Sequence, residues 1–468
     1  MCPASAETAA CHCRAPLGSF ERFCGILIEH FAAGSLQIIS SLWLALEQIR
    51  ILTVSEKFGE YGNAVLKKLQ LSGLRASLDN RGEKIGAKIR EGRLDLVPYL
   101  AVVGAKEAEN GSVALRGRKE GELGELLVPS VLAEPIFFDR ITSMTQCDLC
   151  PRQCTLSEGQ TGICGVRTCR DGNVSLLSYG KTTGFAVDPI EKKPLNHFYP
   201  GSKILSFGSI GCNLSCQFCQ NATTAQSRDL SLLTTSATPE DIVRLATQHH
   251  CESVAFTYNE PIISKEYVLD VAAACRSAGL KTVAVSNGFI SEKCRSDFFD
   301  SMDAANIDLK SFSDTFYRDY CNGEIEPVKD TLRYLARSHT WLEVTTLLIP
   351  SLNDSDVEID ALCNWFSENL GREIPLHFSA FHPAHKLLTL PSTSAPTLHR
   401  AREIALSFDL CYVYTGNIDD PAGQTTYCPQ CDQPVIIRHR FTIDEYKIDE
   451  ESCCKYCGQT INGRFAES

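Results

Sequence analysis

The chain has 468 residues, of which 44% are apolar and 22% charged, with a formal net charge of -12 and 23 cysteines. These proportions are those of a globular protein of about three domains and give no sign of a long disordered tail. The acidic balance argues against a surface coated with nucleic acid throughout, while leaving room for a local basic face.

The opening stretch MCPASAETAACHCRAPLGS lacks a basic segment followed by an apolar one, so no secretory leader is expected and a reducing, cytoplasmic setting is. The most apolar run, FAAGSLQIISSLWLAL at residues 31–46, is broken by Gln37 and several serines. It falls short of the ~18 to 20 apolar residues a spanning helix needs, and no membrane segment is expected. Residues 1–48 read as a remnant and residues 49–134 as a small α/β domain with strands RILTV, RASLD, YLAVVG and SVALRG. Residues 135–195 are loop-rich and carry cysteines; residues 196–425 alternate short β-branched runs with helical stretches; residues 426–468 form a cysteine-paired module. In the long segment the expected strands are KILSF, SVAFTY, KTVAVS, NIDL, LEVTTLLI, LHFSAF and a weaker CYVY. Between them lie helices such as TPEDIVRLATQHH, capped by Thr238, and SKEYVLDVAAACRSAGL, which stops at Gly279. Repeated βα units of this kind predict a parallel sheet closed into a barrel or part of one, with function at the C-terminal ends of its strands.

In a reducing compartment, cysteines at two- and three-residue gaps are metal ligands rather than bridges. Eleven of them fall into three clusters. Cys212, Cys216 and Cys219 follow the first strand of the βα series at spacing C-x3-C-x2-C. Three thiolates leave one corner of a cubane cluster without a protein ligand, and a free iron accepts a small-molecule chelate. Cys147, Cys150, Cys154 and Cys164 supply four thiolates and predict a closed site, with structural zinc and an auxiliary iron–sulfur cluster both open. Cys169 lies five residues on as a spare thiol. Cys428, Cys431, Cys454 and Cys457 form two C-x2-C knuckles, the pattern of a zinc ribbon, with a rubredoxin-like iron site as the rival. That module is expected to be structural or a lid on the barrel mouth, with Cys453 able to replace Cys454.

The stretches PIEKKPLNHFYPGSKILSFGSIGCNLSCQFCQN, AFTYNEP, VSNGFI, NIDLKSF and WLEVTTLLIPSLND resemble the AmmeMemoRadiSam-system radical S-adenosylmethionine (SAM) enzymes, over roughly residues 145–460. These are relatives of the activases of glycyl-radical enzymes. The resemblance implies a partial (βα)6 radical SAM barrel flanked by cysteine-rich modules. It also implies a [4Fe–4S] cluster on Cys212, Cys216 and Cys219 whose open iron binds SAM and cleaves it to a 5′-deoxyadenosyl radical. It further implies an electron donor such as flavodoxin or ferredoxin, and a substrate that is small or a partner protein. Carried over by motif, Glu260 receives the SAM amino group with Asn259 beside it, and Ser286 and Asn287 contact its ribose or carboxylate. Asp308 and Lys310 end the fourth strand, Lys310 facing the carboxylate, and His382 contacts the ribose.

The N-terminal stretches EKIGAKIRE, VPYLAVVGAKEAENGSVALRGR and GELG resemble the anticodon-binding domain of threonyl-tRNA synthetase, and HCRAPLGSFERFCGILIEHFA the last motif of its class II catalytic domain. The resemblance places Arg22 on ATP, Arg90, Glu107 and Arg116 on the anticodon of a tRNA, and Gly82 where that family has a polar contact. The earlier class II motifs lie outside the chain, so complete aminoacylation is not expected. The alternative to a radical enzyme is a tRNA-binding protein derived from the synthetase, with its cysteines as structural zinc fingers.

Overall fold

The computed structural model describes residues 45–118, 121–128 and 144–465, divided between two compact units, Met1–Ser143 and Met144–Ser468. The expectations for Arg22, for the remnant up to residue 44 and for most of the apolar run at 31–46 lie outside the described residues.

The first unit runs β1 (Ile49–Thr53), α1 (Gly59–Leu71), β2 (Ala76–Asp79), α2 (Ile85–Leu94), β3 (Tyr99–Val103), α3 (Ala105–Asn110), β4 (Ser112–Gly117) and β5 (Gly121–Leu127). Its sheet has the order β2-β1-β3-β4-β5, parallel over the first three strands and antiparallel over the last two pairs. The four expected strands fall within one residue of their places, whereas β5, from the glycine-broken GELGELL, carries no strand signal and is held by its pairing to β4. Ile49, Ile51, Val65, Leu69, Tyr99 and Val113 build one core, and Leu52, Val97 and Leu100 pack under α2 on the other face. Lys88 is fully buried and donates to the carbonyls of Thr53 at 2.9 Å and Asp79 at 3.2 Å, tying together the ends of β1 and β2.

The second unit opens with short hairpins, β6 (Thr145–Gln146) on β7 (Thr155–Leu156) and β8 (Arg167–Arg170) on β9 (Asn173–Leu176). Its main sheet runs in spatial order β11 (Phe185–Pro189), β12 (Lys203–Phe207), β14 (Ser253–Phe256), β15 (Lys281–Ser286), β16 (Ala304–Asp308), β17 (Trp341–Leu348), β18 (Leu376–Ala380) and β19 (Val413–Gly416). The numbers β10 and β13 belong to a small separate pair, Lys181–Thr182 with Thr235–Ser236. Every neighbouring pair from β12 to β19 is parallel and β11 is antiparallel to β12. The sheet therefore has two free edges and forms a partial barrel of seven parallel strands, one more than six because CYVY does form β19. Helices α4 (Pro239–Gln248), α5 (Lys265–Ser277), α6 (Glu292–Phe299), α7 (Glu326–Leu335), α8 (Asp356–Asn369) and α9 (Ala395–Ser407) return the chain between strands. The expected cap of α4 is present as a box: Asp241 N–H donates to Thr238 Oγ1 at 3.2 Å, and the Thr238 N–H to Asp241 Oδ2 at 3.0 Å.

A buried polar knot closes the N-terminal end of this barrel. The Glu343 carboxylate, on β17 and fully buried, accepts from Asn196 N at 2.9 Å, His197 N at 2.8 Å, Trp341 Nε1 at 3.0 Å and His377 Nε2 at 2.7 Å. Burial opposes its charge, and the bonds from His377 and the loop amides outweigh it and hold the carboxyl below its ordinary range. The C-terminal module, β20 (Thr426–Tyr427), β21 (Pro434–His439) and β22 (Thr442–Tyr446), joins this knot: Arg438 donates to Asn196 O at 2.6 Å, and the Tyr199 and Arg464 backbones pair. It thus packs at the floor of the barrel, and the expectation of a lid on the mouth is corrected. The reason lies in its apolar face, where Val435, Ile436, Ile448 and Ile461 meet Tyr412 and Tyr414 at the start of β19. Among the described residues no helix is long and apolar enough to cross a membrane, and no cysteine is in a disulfide.

Candidate active site

The cysteine loop leaves β12 at its C-terminal end, and two glycines let it pass close to its neighbours. A Cβ on Gly208 would stand 2.3 Å from the Thr257 carbonyl, and one on Gly211, whose φ is +85°, 2.2 Å from the Cys164 carbonyl. Asn259 spends its amide on this loop, accepting from Ser209 N at 2.8 Å and donating to Ile210 O at 3.2 Å and Gly211 O at 3.1 Å. Its geometry is that of a clamp on the loop rather than of a free ligand-binding group. On the far side Ser215 N and Gln217 N donate to the carbonyls of Cys321 and Tyr320, at 2.9 and 2.8 Å.

Cys321 is a functional candidate that sequence reading missed, because a lone cysteine in RDYCNG has no spacing signal. It is fully buried against Cys216, and its thiol, donating to Cys216, holds that sulfur below the usual thiol range. Burial pushes Cys212 well above that range and Cys219 above it, with the charge of Cys216 adding to both. Loading metal on these thiols therefore releases protons. Among the described residues no three ligand atoms at this loop lie mutually within 4.8 Å, so Cys321 does not complete a single-ion site. The three cysteines of the loop do not have the spacing of a single-ion site.

Glu260, just past β14, is 3% exposed. Its Oε1 accepts from Ser286 Oγ at 2.7 Å and Ile262 N at 3.0 Å, and its Oε2 from Asn287 N at 2.8 Å. A carboxylate has about four acceptor positions, so one on Oε2 stays available. Desolvation pushes its pKa up to about 7, against these three bonds and the charge of Lys310, which leaves it matched to an incoming cation. Asn287 then joins this group to the cluster loop. Its Nδ2 donates to Asn213 Oδ1 at 2.9 Å and lies 3.6 Å from Cys212 Sγ, and its Oδ1 accepts from Phe289 N at 2.8 Å.

Asp308 ends β16 and pairs with Lys310, two residues on, at 2.8 Å. Burial works against the ammonium, but Asp308 and Cys216 keep it protonated well past its ordinary range. The site thus offers a carboxylate and an ammonium on neighbouring strand ends beside three thiols. His382 stands apart, exposed beyond β18, with Nδ1 3.2 Å from Ser392 Oγ and no hydrogen bond to this group among the described residues.

The two four-cysteine clusters differ. Cys428, Cys431, Cys454 and Cys457 place their sulfurs all within 4.8 Å of one another, with Cys428 to Cys457 at 3.6 Å and Cys431 to Cys454 at 3.8 Å. Four thiolates ~2.3 Å from one ion at tetrahedral angles stand ~3.8 Å apart, so this set fits a single ion. Each knuckle repeats the same turn: Asp432 and Gly458, at φ +54° and +77°, donate back to the first cysteine's carbonyl. Cys453 turns away toward Thr460, 3.7 Å from its hydroxyl, and is not placed to substitute for Cys454. Cys147, Cys150, Cys154 and Cys164 line one cavity, yet do not meet the single-ion spacing. Cys169 is buried but does not line that cavity, its thiol on Glu158.

In the first unit Arg90 is exposed on α2. Glu107 accepts from Gly104 N at 2.8 Å as the cap of α3, and Arg116 is paired with Glu122. A Cβ on Gly82 would meet Glu56 Oε1 at 2.9 Å.

Residues 208–362 match the radical SAM superfamily, and residues 48–134 the anticodon binding domain. The "uncharacterized protein MJ0808" of Methanocaldococcus jannaschii is 37% identical over 333 residues, 71% of this chain and 99% of its own. The chain belongs to the radical SAM superfamily, in the family of that archaeal protein. Membership implies an enzyme that uses SAM and a [4Fe–4S] cluster. In front of the radical SAM domain stands a domain like that of threonyl-tRNA synthetase. The threonine–tRNA ligase of Rhodopirellula baltica is 50% identical over 120 residues, 26% of this chain, and the chain spans about a sixth (16%) of that ligase. Streptococcus suis SuiB bound to S-adenosylmethionine is similar at 16% identity and a TM-score of 0.37, over 48% of this chain and 52% of its own.

Proposed function

We propose that Cys212, Cys216 and Cys219 hold a [4Fe–4S] cluster and that Glu260 and Lys310 take the two charges of the SAM amino-acid head, for hydrogen abstraction from a substrate of the activase kind, a partner protein. The observation that carries this reading is the pairing of a buried carboxylate that keeps one free acceptor position with a protonated lysine, both next to the cysteine loop. Cys212, Cys216 and Cys219 would hold the cluster, which would supply the one-electron reduction that splits the sulfonium of SAM into methionine and a 5′-deoxyadenosyl radical able to take hydrogen from the substrate. The chain's own residues position and exclude water. Glu260 receives the ammonium in a charge-assisted bond, Lys310 faces the carboxylate, and Ser286 and Asn287 fix the Glu260 carboxylate while Asn287 also touches Cys212. Asn259 holds the loop, and His382, bonded to Ser392 Oγ, is the proposed ribose contact. The setting is cytoplasmic, with reduced flavodoxin or ferredoxin as electron donor, and the AmmeMemoRadiSam group is the proposed subfamily. Zinc is the proposed ion of the Cys428 site.

The test is anaerobic reconstitution, reduction with dithionite and assay of 5′-deoxyadenosine. Wild type should cleave SAM, and Glu260→Gln, which loses one charge-assisted bond, should bind SAM about ten- to hundredfold more weakly with its iron content unchanged. Intact cluster with no 5′-deoxyadenosine in wild type overturns the reading.

A second reading concerns the first unit alone, favoured by its match to the anticodon binding domain. It is proposed to bind tRNA through Arg90 and Arg116, with readout reduced because Glu107 and Arg116 are engaged within the unit. The reading of all the cysteines as zinc fingers does not fit membership in the radical SAM superfamily.

A further inference from the structure

The cavity between the hairpin β6–β7 and the cluster loop is lined by Cys147, Cys150, Cys154 and Cys164 and by two arginines, Arg152 and Arg167. Cys147 and Cys150 are 7% and 8% exposed. The charges of Cys147, Cys154 and Cys164 all bear on Cys150, so the four face one another, but more openly than the four sulfurs of the C-terminal site. Thiolates on one ion must crowd together; thiolates on different metal atoms of one cluster are held apart by the inorganic core between them.

The arginines point the same way. Arg167, 7% exposed, gives Nη1 to Glu266 Oε2 at 2.8 Å and Ile263 O at 3.1 Å, and Nη2 to Glu266 Oε1 at 2.6 Å. Its Nε is buried with no acceptor at hydrogen-bond distance, and the guanidinium faces the Cys147 sulfur. Arg152 gives Nε to Asn213 O at 3.0 Å, and its Nη2 is likewise buried and unpartnered. Two buried guanidinium donors without acceptors are costly unless something anionic in the cavity receives them. Zinc on four thiolates carries a net negative charge just as an iron–sulfur cluster on four thiolates does, but the cluster adds bridging sulfides as acceptors between thiolates that stand too far apart for one ion.

The cavity also adjoins the cluster loop. Gly211 passes against the Cys164 carbonyl, Cys212 follows it in the chain, and Asn213 both lines the cavity and lies 3.9 Å through Oδ1 from Cys212 Sγ.

We propose that Cys147, Cys150, Cys154 and Cys164 hold an auxiliary iron–sulfur cluster, with Arg152 and Arg167 donating to its sulfides, placed to pass electrons to the Cys212 site through the Cys164–Gly211 contact and Asn213. A reduced protein of the ferredoxin or flavodoxin class gives one electron to the auxiliary cluster, which passes one to the SAM-cleaving cluster and returns to its oxidised state. The relay rests on the proposed function above; the identity of the auxiliary centre does not.

The experiment uses the full chain with Cys212→Ala, Cys216→Ala and Cys219→Ala together, reconstituted anaerobically with iron and sulfide. Iron and labile sulfide should remain in equal amounts, about four of each for a cubane, with an EPR signal on reduction. Labile sulfide at background with zinc at two equivalents would overturn the proposal. Should that variant not fold, wild type decides: labile sulfide near eight supports two clusters, and near four with two zinc ions overturns the second. Arg152→Met and Arg167→Met, each in the triple variant or in wild type, should keep the iron and lower the auxiliary midpoint potential. An unchanged potential in both removes the arginines from the proposal. Wild type that keeps all its sulfide but yields no 5′-deoxyadenosine sinks the proposed function and leaves the auxiliary cluster standing.

Discussion

At the two ends of the second unit, four cysteines gather with the same ligand chemistry and different surroundings. Around Cys428 the sulfurs close to 3.6–3.8 Å, the two knuckles share one turn, and the buried Cys428 and Cys454 are part of an apolar core with Tyr412 and Tyr414. Around Cys147 the sulfurs stay apart, Arg152 and Arg167 each keep one buried N–H without an acceptor, and the site joins the main core of the unit to the cluster loop. The number of cysteines alone therefore does not determine the metal. On the proposals above, the first site holds a fold together and the second holds charge.

Three measurements sharpen or break that contrast. The largest effect is expected at the C-terminal site, since a structural ion contributes an apparent ~10–16 kcal/mol to a small module. Cys454→Ser should lose one metal equivalent, and amide protection in β21 should fall by more than about a hundredfold; unchanged protection would mean that the ion is not structural. Next comes the floor to which that module is bound. Glu343→Ala strands the donors of Asn196, His197, Trp341 and His377 in the interior and should cost about 3–5 kcal/mol in denaturant unfolding. Iron at the Cys147 site should stay constant under mild conditions, and its loss would show that the two ends are not independent.

The smallest effect uses the first unit, whose described residues contain no cysteine, as an internal reference. Arg81 bonds Asp79 and, against partial burial, holds its carboxyl down at about 2. A folded pKa below the unfolded value of ~3.9 gives stability that is present above about pH 4 and lost as the pH falls through 2. Hydrogen exchange in β1 should quicken over that window, Arg81→Ala should flatten the dependence, and chelators should not alter it.

Much of this was legible in the residues. The strands from KILSF to LHFSAF are short, mostly apolar runs of the kind a sheet covered on both faces buries, and Thr238 with Asp241 marks a helix start by chemistry alone. The strand ends carrying Glu260, Ser286, Asn287 and Lys310 converge as the βα order implies. What stayed hidden depends on contacts between distant segments. Cys321 matters through its packing on Cys216, Asn259 through the loop it clamps, and the arginines through a cavity whose walls come from residues 147–167, 213 and 263. The motif KKPLNHFYP gave a resemblance but not a place, because its meaning is the Glu343 knot, about 150 residues downstream.

The pairing of Tyr199 with Arg464, and of the His197 ring with Asn462 O at 2.6 Å, sets a schedule for biosynthesis. A chain still threaded through the ribosome cannot seal the bottom of its cylinder until residues 462–464 have cleared the exit tunnel.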